Sequence, residues 1–442
     1  MTSVNRAPAG QGNQLLALAY PDLGGITRAR VAFVEDLPKI ALKGVGWTPV
    51  NQAVTPFDGI PSDNPFGSLG DLRLVPDLST EVDLRSVPGA GGAHLVLCDA
   101  VTLDMKPWSV CPRGILKSAV ADFQEQTSLR LVSSFEHEFT VLGLADPAPS
   151  AMSLAGARQL RVCAERAMEA LRVAGLEPEI WYPEFGAHQH ECTIAPSGGA
   201  SGADRAVLFR EVMREVFADH GLGVTFSPAM AADGVGNGVH VHVSLVDSTG
   251  APVLSDPTRP GGLSTIGSYF AAGIVRHMPA LTAFTAASAI SGVRMQPGRF
   301  SASHPTISIQ NREASLRICP SIGRTAEERA ASYNLEYRAC DATANPYLVL
   351  AVLLRAGLAG IAHRYELPEF ENNPVAAEAR GELAPLPRSI PESLIALAGD
   401  PVVSGWFSEE FLATYTAMKR MEHEQAAQLN SAELFSTYSR IY

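Results

Sequence analysis

Four pairs of polar residues carry the chemistry of this sequence. In SFEHEFTVLG (134–143), Glu136 and Glu138 alternate with Phe135, His137 and Phe139. Alternate residues of a strand face the same way, so the two carboxylates would share one face and the aromatic rings the other. Like charges side by side on a strand repel, and buried carboxylates stay ionised only when paired with cations or bound to metal. An isolated Glu-x-Glu is ordinarily a solvated strand face with a lysine or arginine across from it. Three further clusters weigh against that reading here. YPEFGAHQHECTIAP (182–196) sets Glu184 and Glu191 on either side of a glycine-containing bend, with Gln189 and His190 beside the second glutamate. GVGNGVHVHVSL (234–245) puts His240 and His242 on one strand face beyond a glycine-rich turn, where two satisfied histidines on a half-buried strand are the plain alternative. NLEYRACDATANPY (334–347) places Glu336 and Arg338 two apart on another strand. Four solvated faces explain this set poorly. Five glutamates and one imidazole form an oxygen-rich donor set that suits hard divalent cations, Mg²⁺ or Mn²⁺ rather than zinc. Paired metals of this kind neutralise phosphoryl oxygens during transfer.

Arginines supply the complementary charge. Arg294 in SGVRMQPG, Arg312 and Arg317 in NREASLR, and Arg338 can bind carboxylate or phosphate in bidentate fashion. Each alone reads as a surface arginine; their order among the acidic clusters gives them interest.

The elements that must position these residues are legible as alternating patterns. Strands are expected over 130–142, 179–194, 239–247, 313–319 and 334–339, and helices over 151–175, 203–220, 262–290, 344–362 and 407–428. Gly221 should end the second helix as its C′ residue, and the apolar helix starting at Asn345-Pro346 should be a core helix. Up to about residue 110 the chain is short apolar runs such as ARVAFV, DLRLVPD and AHLVLCDA, broken by Pro and Gly. This predicts a small sheet-rich domain over 1–110 and an α+β domain of catalytic size over 111–442. The Pro-rich segment 366–391 reads equally as an ordered surface connection or a flexible loop.

Bulk properties exclude several function classes. With 442 residues and 46% apolar composition the chain can bury a sizeable core, and 34 Lys plus Arg against 46 Asp plus Glu give a formal charge of −12. That balance argues against a nucleic-acid or anionic-membrane surface and for small-molecule or protein partners. Six scattered cysteines without C-x-x-C spacing fit free thiols in a reducing compartment, hence the cytoplasm. The stretch MTSVNRAPAGQGNQ lacks a signal-peptide core, and YLVLAVLLRAGLAGIA (347–362) is interrupted by Arg355 and reads as too short for a bilayer, so no membrane anchor is expected.

Taken in order, FDGIPSDNPFGSLGDLRLVPDLST, FEHEF, EFGAHQHE, GNGVHVHVSL, VRMQPG, NREASLR and EYRACDATANPYLVLAVLLRAGLAGI resemble the motifs of the glutamine synthetase family along nearly the whole chain. The resemblance implies an N-terminal β-grasp domain, a larger α+β catalytic domain, and a homo-oligomer of stacked rings, a dodecamer in the family, with active sites shared between neighbours. It implies one metal site at Glu138, Glu184 and Glu191, a second at Glu136, His240 and Glu336, and two or more Mg²⁺ or Mn²⁺ per active site. His242 and Ser244 match its ATP-binding segment, Arg312 and Arg317 its phosphate-contacting arginines, and Arg294, Arg338 and Gly236 its glutamate-binding positions. Asp58 falls where the family has an ammonium-site aspartate.

The departures concern the amine. Where the ammonia-using enzymes have a flap of proline, glycine, aromatic and glutamate, this chain has PGRFSASH, with Phe300 in place of the acid. Ile60 and Pro61 replace two serines after Asp58-Gly59, Asn334 replaces an arginine, Val235 an asparagine, and a short insertion lies between Arg317 and Glu336. No tyrosine in 366–400 matches the one adenylylated in some bacterial members. An ammonium or alkylammonium ion of pKa about 10.4 must lose a proton before it attacks, and phenylalanine cannot take it. The resemblance then implies a γ-glutamylamide ligase that phosphorylates glutamate with ATP and passes the acyl group to an organic amine, conceivably one of low basicity, with Phe300, Arg299 and the Asp58 loop shaping its pocket. The competing readings are a glutamine synthetase using ammonia, a non-catalytic member, and a ligase for an acid other than glutamate. Ser301 and His304 are open candidates for the base.

Overall fold

The computed structural model describes residues 14–442. Its first sheet holds β1 (Leu15–Pro21), β2 (Thr27–Phe33), β3 (Val45–Trp47), β4 (Leu72–Pro76), β5 (Val82–Asp83) and β6 (His94–Val101), in the order β2-β1-β6-β4-β3 with β5 beside β6. β1 and β6 run parallel, and the other pairs antiparallel. The sheet-rich reading holds, with one unforeseen short helix, Leu37–Lys43, which buries Leu37 and Ile40.

The second sheet holds β7 (Arg130–Leu142), β8 (Pro178–Pro183), β9 (Gln189–Ile194), β10 (Ser197–Gly198), β11 (Gly223–Thr225), β12 (Val239–Val246), β13 (Ile307–Ile309), β14 (Leu316–Ile318) and β15 (Leu335–Tyr337). Its main path is β13-β14-β15-β12-β7-β9-β8. β7 is its 13-residue spine, and Phe135, His137, Phe139 and Val141 on one face are buried. The Ser201–Asp219 helix covers that face, with the His137 ring stacked 5.1 Å from Phe209. Arg113 ties the first sheet to that helix, its buried guanidinium reaching Asp204 and Asp77 at 2.8 Å and Asp99 at 3.0 Å.

Several expected elements change in detail. The 151–175 helix is two, Leu154–Gln159 and Arg161–Val173, interrupted at Leu160. The 179–194 strand is a hairpin of β8 and β9, turning through His188 at a left-handed φ of 56°. The strands at 313–319 and 334–339 shorten to three residues each. Gly221 follows the helix that ends at Asp219, with φ 73°, as the C′ reading requires. The segment 366–391 is a connection laid against the sheet: Glu371 N–H donates to the Ile307 carbonyl at 3.1 Å, Leu386 N–H to that of Ser303 at 2.9 Å, and Pro374–Ala379 is helical. The stretch read as lacking a signal-peptide core falls almost wholly outside the described residues.

The Pro346–His363 helix is capped by Asn345, whose side chain accepts the N–H groups of Tyr347 and Leu348. Its 18 residues and hydropathy of 1.5 suffice to cross a membrane, which corrects the expectation that it is too short, yet 67% of it is buried inside the fold. Arg355 pairs with Asp122 at 3.2 Å. Against it lies the Thr265–Thr285 helix, in backbone contact: a Cβ on Gly273 would come 2.0 Å from the Ala356 carbonyl oxygen. Gly273→Ala should therefore lower stability, because overpacking of about 1–3 kcal/mol outweighs a helix-propensity gain of about 1 kcal/mol. A thermal-unfolding midpoint at or above that of the unsubstituted protein would show that this approach does not limit packing.

Candidate active site

Strand register assembles the acids. His240 lies opposite Glu136 across β12 and β7, Glu138 opposite Glu191 across β7 and β9, and Tyr182 opposite Glu191 across β8 and β9. On the other flank Glu336 of β15 lies opposite His242 of β12 and Arg317 of β14. The two-residue period turns Glu136 and Glu138 away from the face that buries Phe135, His137 and Phe139. A slip of one residue would drive the carboxylates into that core.

Glu136, His240 and Glu336 each offer an atom within 4.8 Å of the others, as the second expected metal site requires. His240 Nδ1 lies 3.6 Å from Glu136 and 3.5 Å from Glu336, while His242 Nε2 is 3.2 Å from Glu136. Glu138, Glu184 and Glu191 lie on the same sheet flank but each has its own partner. Glu138 accepts from Gly238 N–H at 2.8 Å and Gln189 Nε2 at 3.2 Å, Glu191 from the Tyr182 hydroxyl at 2.5 Å, and Glu184 from Phe185 N–H at 3.1 Å.

The two halves differ electrostatically. Burial opposes ionisation of Glu336, but His240, Arg338 and His242 hold its pKa down at about 2. Burial likewise opposes protonation of His242, yet the charge of Glu136 outweighs it and raises that imidazole well above the usual range. Burial and the Arg338 charge lower the pKa of His240, leaving the neutral imidazole that binds metal. On the other side burial, reinforced by Glu136 and Glu138, pushes Glu191 up to about 8, and burial with Glu138 raises Glu184. At Glu184 the charge of Arg312 offsets only part of that rise, and the carboxylate oxygens of this half are the donors a hard divalent ion takes. Among the described residues Glu136, His240 and Glu336 gather as a metal site requires, and the carboxylates of the other flank share the donor chemistry without being gathered as closely.

The arginines divide into buried and open. Arg317 reaches Glu336 at 2.6 Å. Arg338 pairs with Glu336 and also donates to the carbonyls of Arg312 at 3.0 Å and Phe300 at 2.8 Å. Arg294 is buried, donating to the Cys340 carbonyl at 3.2 Å and lying 3.4 Å from His240 Nε2. Gly236 packs on it, since a Cβ there would meet Arg294 Cγ at 3.1 Å and the Pro228 carbonyl at 2.5 Å. Arg312 is exposed, and its charge partly offsets the rise in the Glu184 pKa. His242 and Ser244 line a cavity of about 540 Å³ with Glu136, Ser134, Tyr333 and Asn334. His242 Nδ1 is 2.8 Å from Asn334 Oδ1, and the Ser244 hydroxyl donates to the Tyr333 carbonyl at 3.2 Å.

Other expected residues stand apart. Asp58 is 83% exposed and 3.3 Å from Arg28, on a loop that packs on the C-terminal helices through Phe57 and Tyr438 and a 2.7 Å bond from Thr55 to Gln425. The Phe300 side chain is 69% exposed at a left-handed φ of 50°. His304 is fully buried, with Nδ1 2.9 Å from Ser303 Oγ and Nε2 2.9 Å from Glu378, so both nitrogens are committed away from the acids. Ser301 is buried without a hydroxyl partner. Sequence reasoning passed over Tyr182 and Glu313, although each lies inside a quoted motif, and Cys319, whose thiol is 3.6 Å from Glu336.

Glu191 gives a testable sign. Its pKa rises from an ordinary 4.5 to about 8, so the folded protein binds the extra proton, and this group's stabilisation is present at low pH and lost as pH rises between those values. A divalent cation must displace that proton. Calorimetry of Mg²⁺ binding at pH 7, in buffers of different ionisation heat, should show net proton release. Binding with no proton released would show that the ion displaces no proton from Glu191.

Comparison with known proteins agrees with this geometry. Residues 109–438 match the family described as "Glutamine synthetase, catalytic domain" and residues 3–108 the "Glutamine synthetase N-terminal domain". The gamma-glutamylpolyamine synthetase of Streptomyces coelicolor is 35% identical over 418 residues, covering 91% of this chain and 88% of that protein. The glutamate–isopropylamine ligase of a Pseudomonas species is 29% identical over 435 residues, covering 93% and 92%. A crystal structure described as a novel glutamine synthase homolog has a TM-score of 0.91 and 37% identity, covering 99% of this chain and 100% of that one. A metal-competent sheet face on this fold, matched along almost its full length, has one conclusion: the chain belongs to the glutamine synthetase family of ligases.

Proposed function

We propose that the protein joins the γ-carboxylate of glutamate to an organic amine at the expense of ATP, through γ-glutamyl phosphate. The observation that carries the choice of acceptor is Phe300, an exposed phenyl where the ammonia-using pattern has an acid. Two relatives, named as a gamma-glutamylpolyamine synthetase and a glutamate–isopropylamine ligase, support it.

In this reading His242 and Ser244 orient ATP in the cavity they line, and Arg312 and Arg317 take the charge on the transferred phosphoryl group. Arg294, Arg338 and Gly236 seat glutamate, so that its γ-carboxylate oxygen attacks the terminal phosphorus. Mg²⁺ or Mn²⁺ held by Glu136, His240 and Glu336, and by Glu138, Glu184 and Glu191, would neutralise phosphoryl oxygens when bound. The amine then adds to the acyl carbon and phosphate leaves. Asp58 serves a neighbouring subunit of a ring-shaped homo-oligomer, a role supported by its exposure and by the packing of its loop on the C-terminal helices. The chain divides near residue 110 into an N-terminal and a catalytic domain, and the six buried free thiols suit the cytoplasm.

ATP-dependent phosphate release with glutamate and Mg²⁺ tests the reading across ammonium, methylamine, ethanolamine, putrescine, spermine and aniline, with products identified by mass. At least one organic amine should exceed ammonium tenfold or more in kcat/KM; turnover with ammonium alone would make the protein a glutamine synthetase. Arg294→Ala should raise the glutamate KM by at least tenfold, since a lost charged hydrogen bond costs about 1.5–3 kcal/mol. An unchanged KM would remove Arg294 from the glutamate site.

A further inference from the structure

The flap is held by a carboxylate that is not part of it. Glu313, next to Arg312 in the turn before β14, accepts the N–H of Gly298 at 3.0 Å and of Phe300 at 2.7 Å. Both residues are left-handed, φ 74° and 50°, a conformation that a phenylalanine disfavours. From the other side Arg338 grips the Phe300 carbonyl and Glu336 together. The Glu313 carboxylate is thus one peptide and one guanidinium away from the Glu136, His240 and Glu336 cluster. An ionised carboxylate has about four acceptor positions. Two hold the flap, and among the described residues no further donor occupies the other two on this half-buried side chain. The charged groups on the segments meeting here are Arg299, which donates to the Gly234 carbonyl at 2.7 Å, Arg312 and Arg338.

We propose that Glu313 is the carboxylate of the amine site, brought from a neighbouring turn to the place where the flap itself carries Phe300. It binds the ammonium form of the acceptor and removes its proton. This rests on the amine-ligase reading and narrows it: the acceptor is a basic aliphatic amine, not a weakly basic aromatic one. The R–NH₃⁺ group gives one proton to Glu313, and the freed nitrogen lone pair forms the bond to the γ-carbonyl carbon. The carbon–oxygen bond to phosphate breaks with its electron pair, and the second proton lost from nitrogen leaves on the phosphate. Glu313 returns its proton to solvent.

The test is kcat/KM for the best aliphatic amine of the panel and for aniline, from pH 7 to 9.5, in the unsubstituted enzyme, Glu313→Gln and Glu313→Asp. Glu313→Gln keeps an oxygen for the flap but cannot take a proton. It should lose about 100-fold at pH 7 with the aliphatic amine, the loss shrinking toward pH 9.5 as the free amine accumulates, while the ATP KM stays within twofold. Glu313→Asp should restore part of the rate. A loss within twofold, a loss constant across this pH range, or a parallel rise in the ATP KM would each overturn the proposal, the last two leaving Glu313 a purely structural clasp. Unsubstituted enzyme active with aniline alone would overturn it and spare the ligase reading; no turnover with any organic amine would overturn both.

Discussion

Repulsion among carboxylates on one sheet face is the constraint on which this structure depends. Two unit charges 4 Å apart at an effective dielectric constant of 20 oppose each other by about 4 kcal/mol. Five glutamates converge here, four from strands β7, β9 and β15 and Glu184 from the bend after β8. The protein offsets the charge unevenly. Around Glu336 it spends two arginines and two histidines, so that carboxylate stays ionised although buried. Around Glu191 it offers a tyrosine hydroxyl, and the carboxyl takes a proton instead. A sheet with one half balanced by protein cations and the other dependent on protons or metal is built to respond to a divalent ion.

The same cations carry the cluster's geometry outward. Arg338 spans Glu336, the Arg312 carbonyl and the Phe300 carbonyl, so the acid floor, the Arg312 segment and the flap share one guanidinium. His304 performs the matching task on the far side of the flap, fastening it through Glu378 to the connection that runs beside β13. Loops that would otherwise sample many conformations are thereby referred to the sheet. The buried aromatic face of β7 keeps that sheet in one register.

How far the sequence speaks depends on the range of the physics. Glu136 and Glu138 could be assigned to one face, and Phe135, His137 and Phe139 to the core, because the two-residue strand period is local. The Asn345 cap, the Gly221 stop and the order of the motifs are local in the same sense. Tertiary structure alone decided which acids meet, because the contact of Glu136, His240 and Glu336 depends on the register of strands far apart in the sequence. It also decided that His304 turns inward, that the Asp58 loop packs on the C-terminal helices, and that Glu313 reaches the flap. Those outcomes rest on left-handed residues and single hydrogen bonds between loops, and neither composition nor periodicity records where two loops will touch.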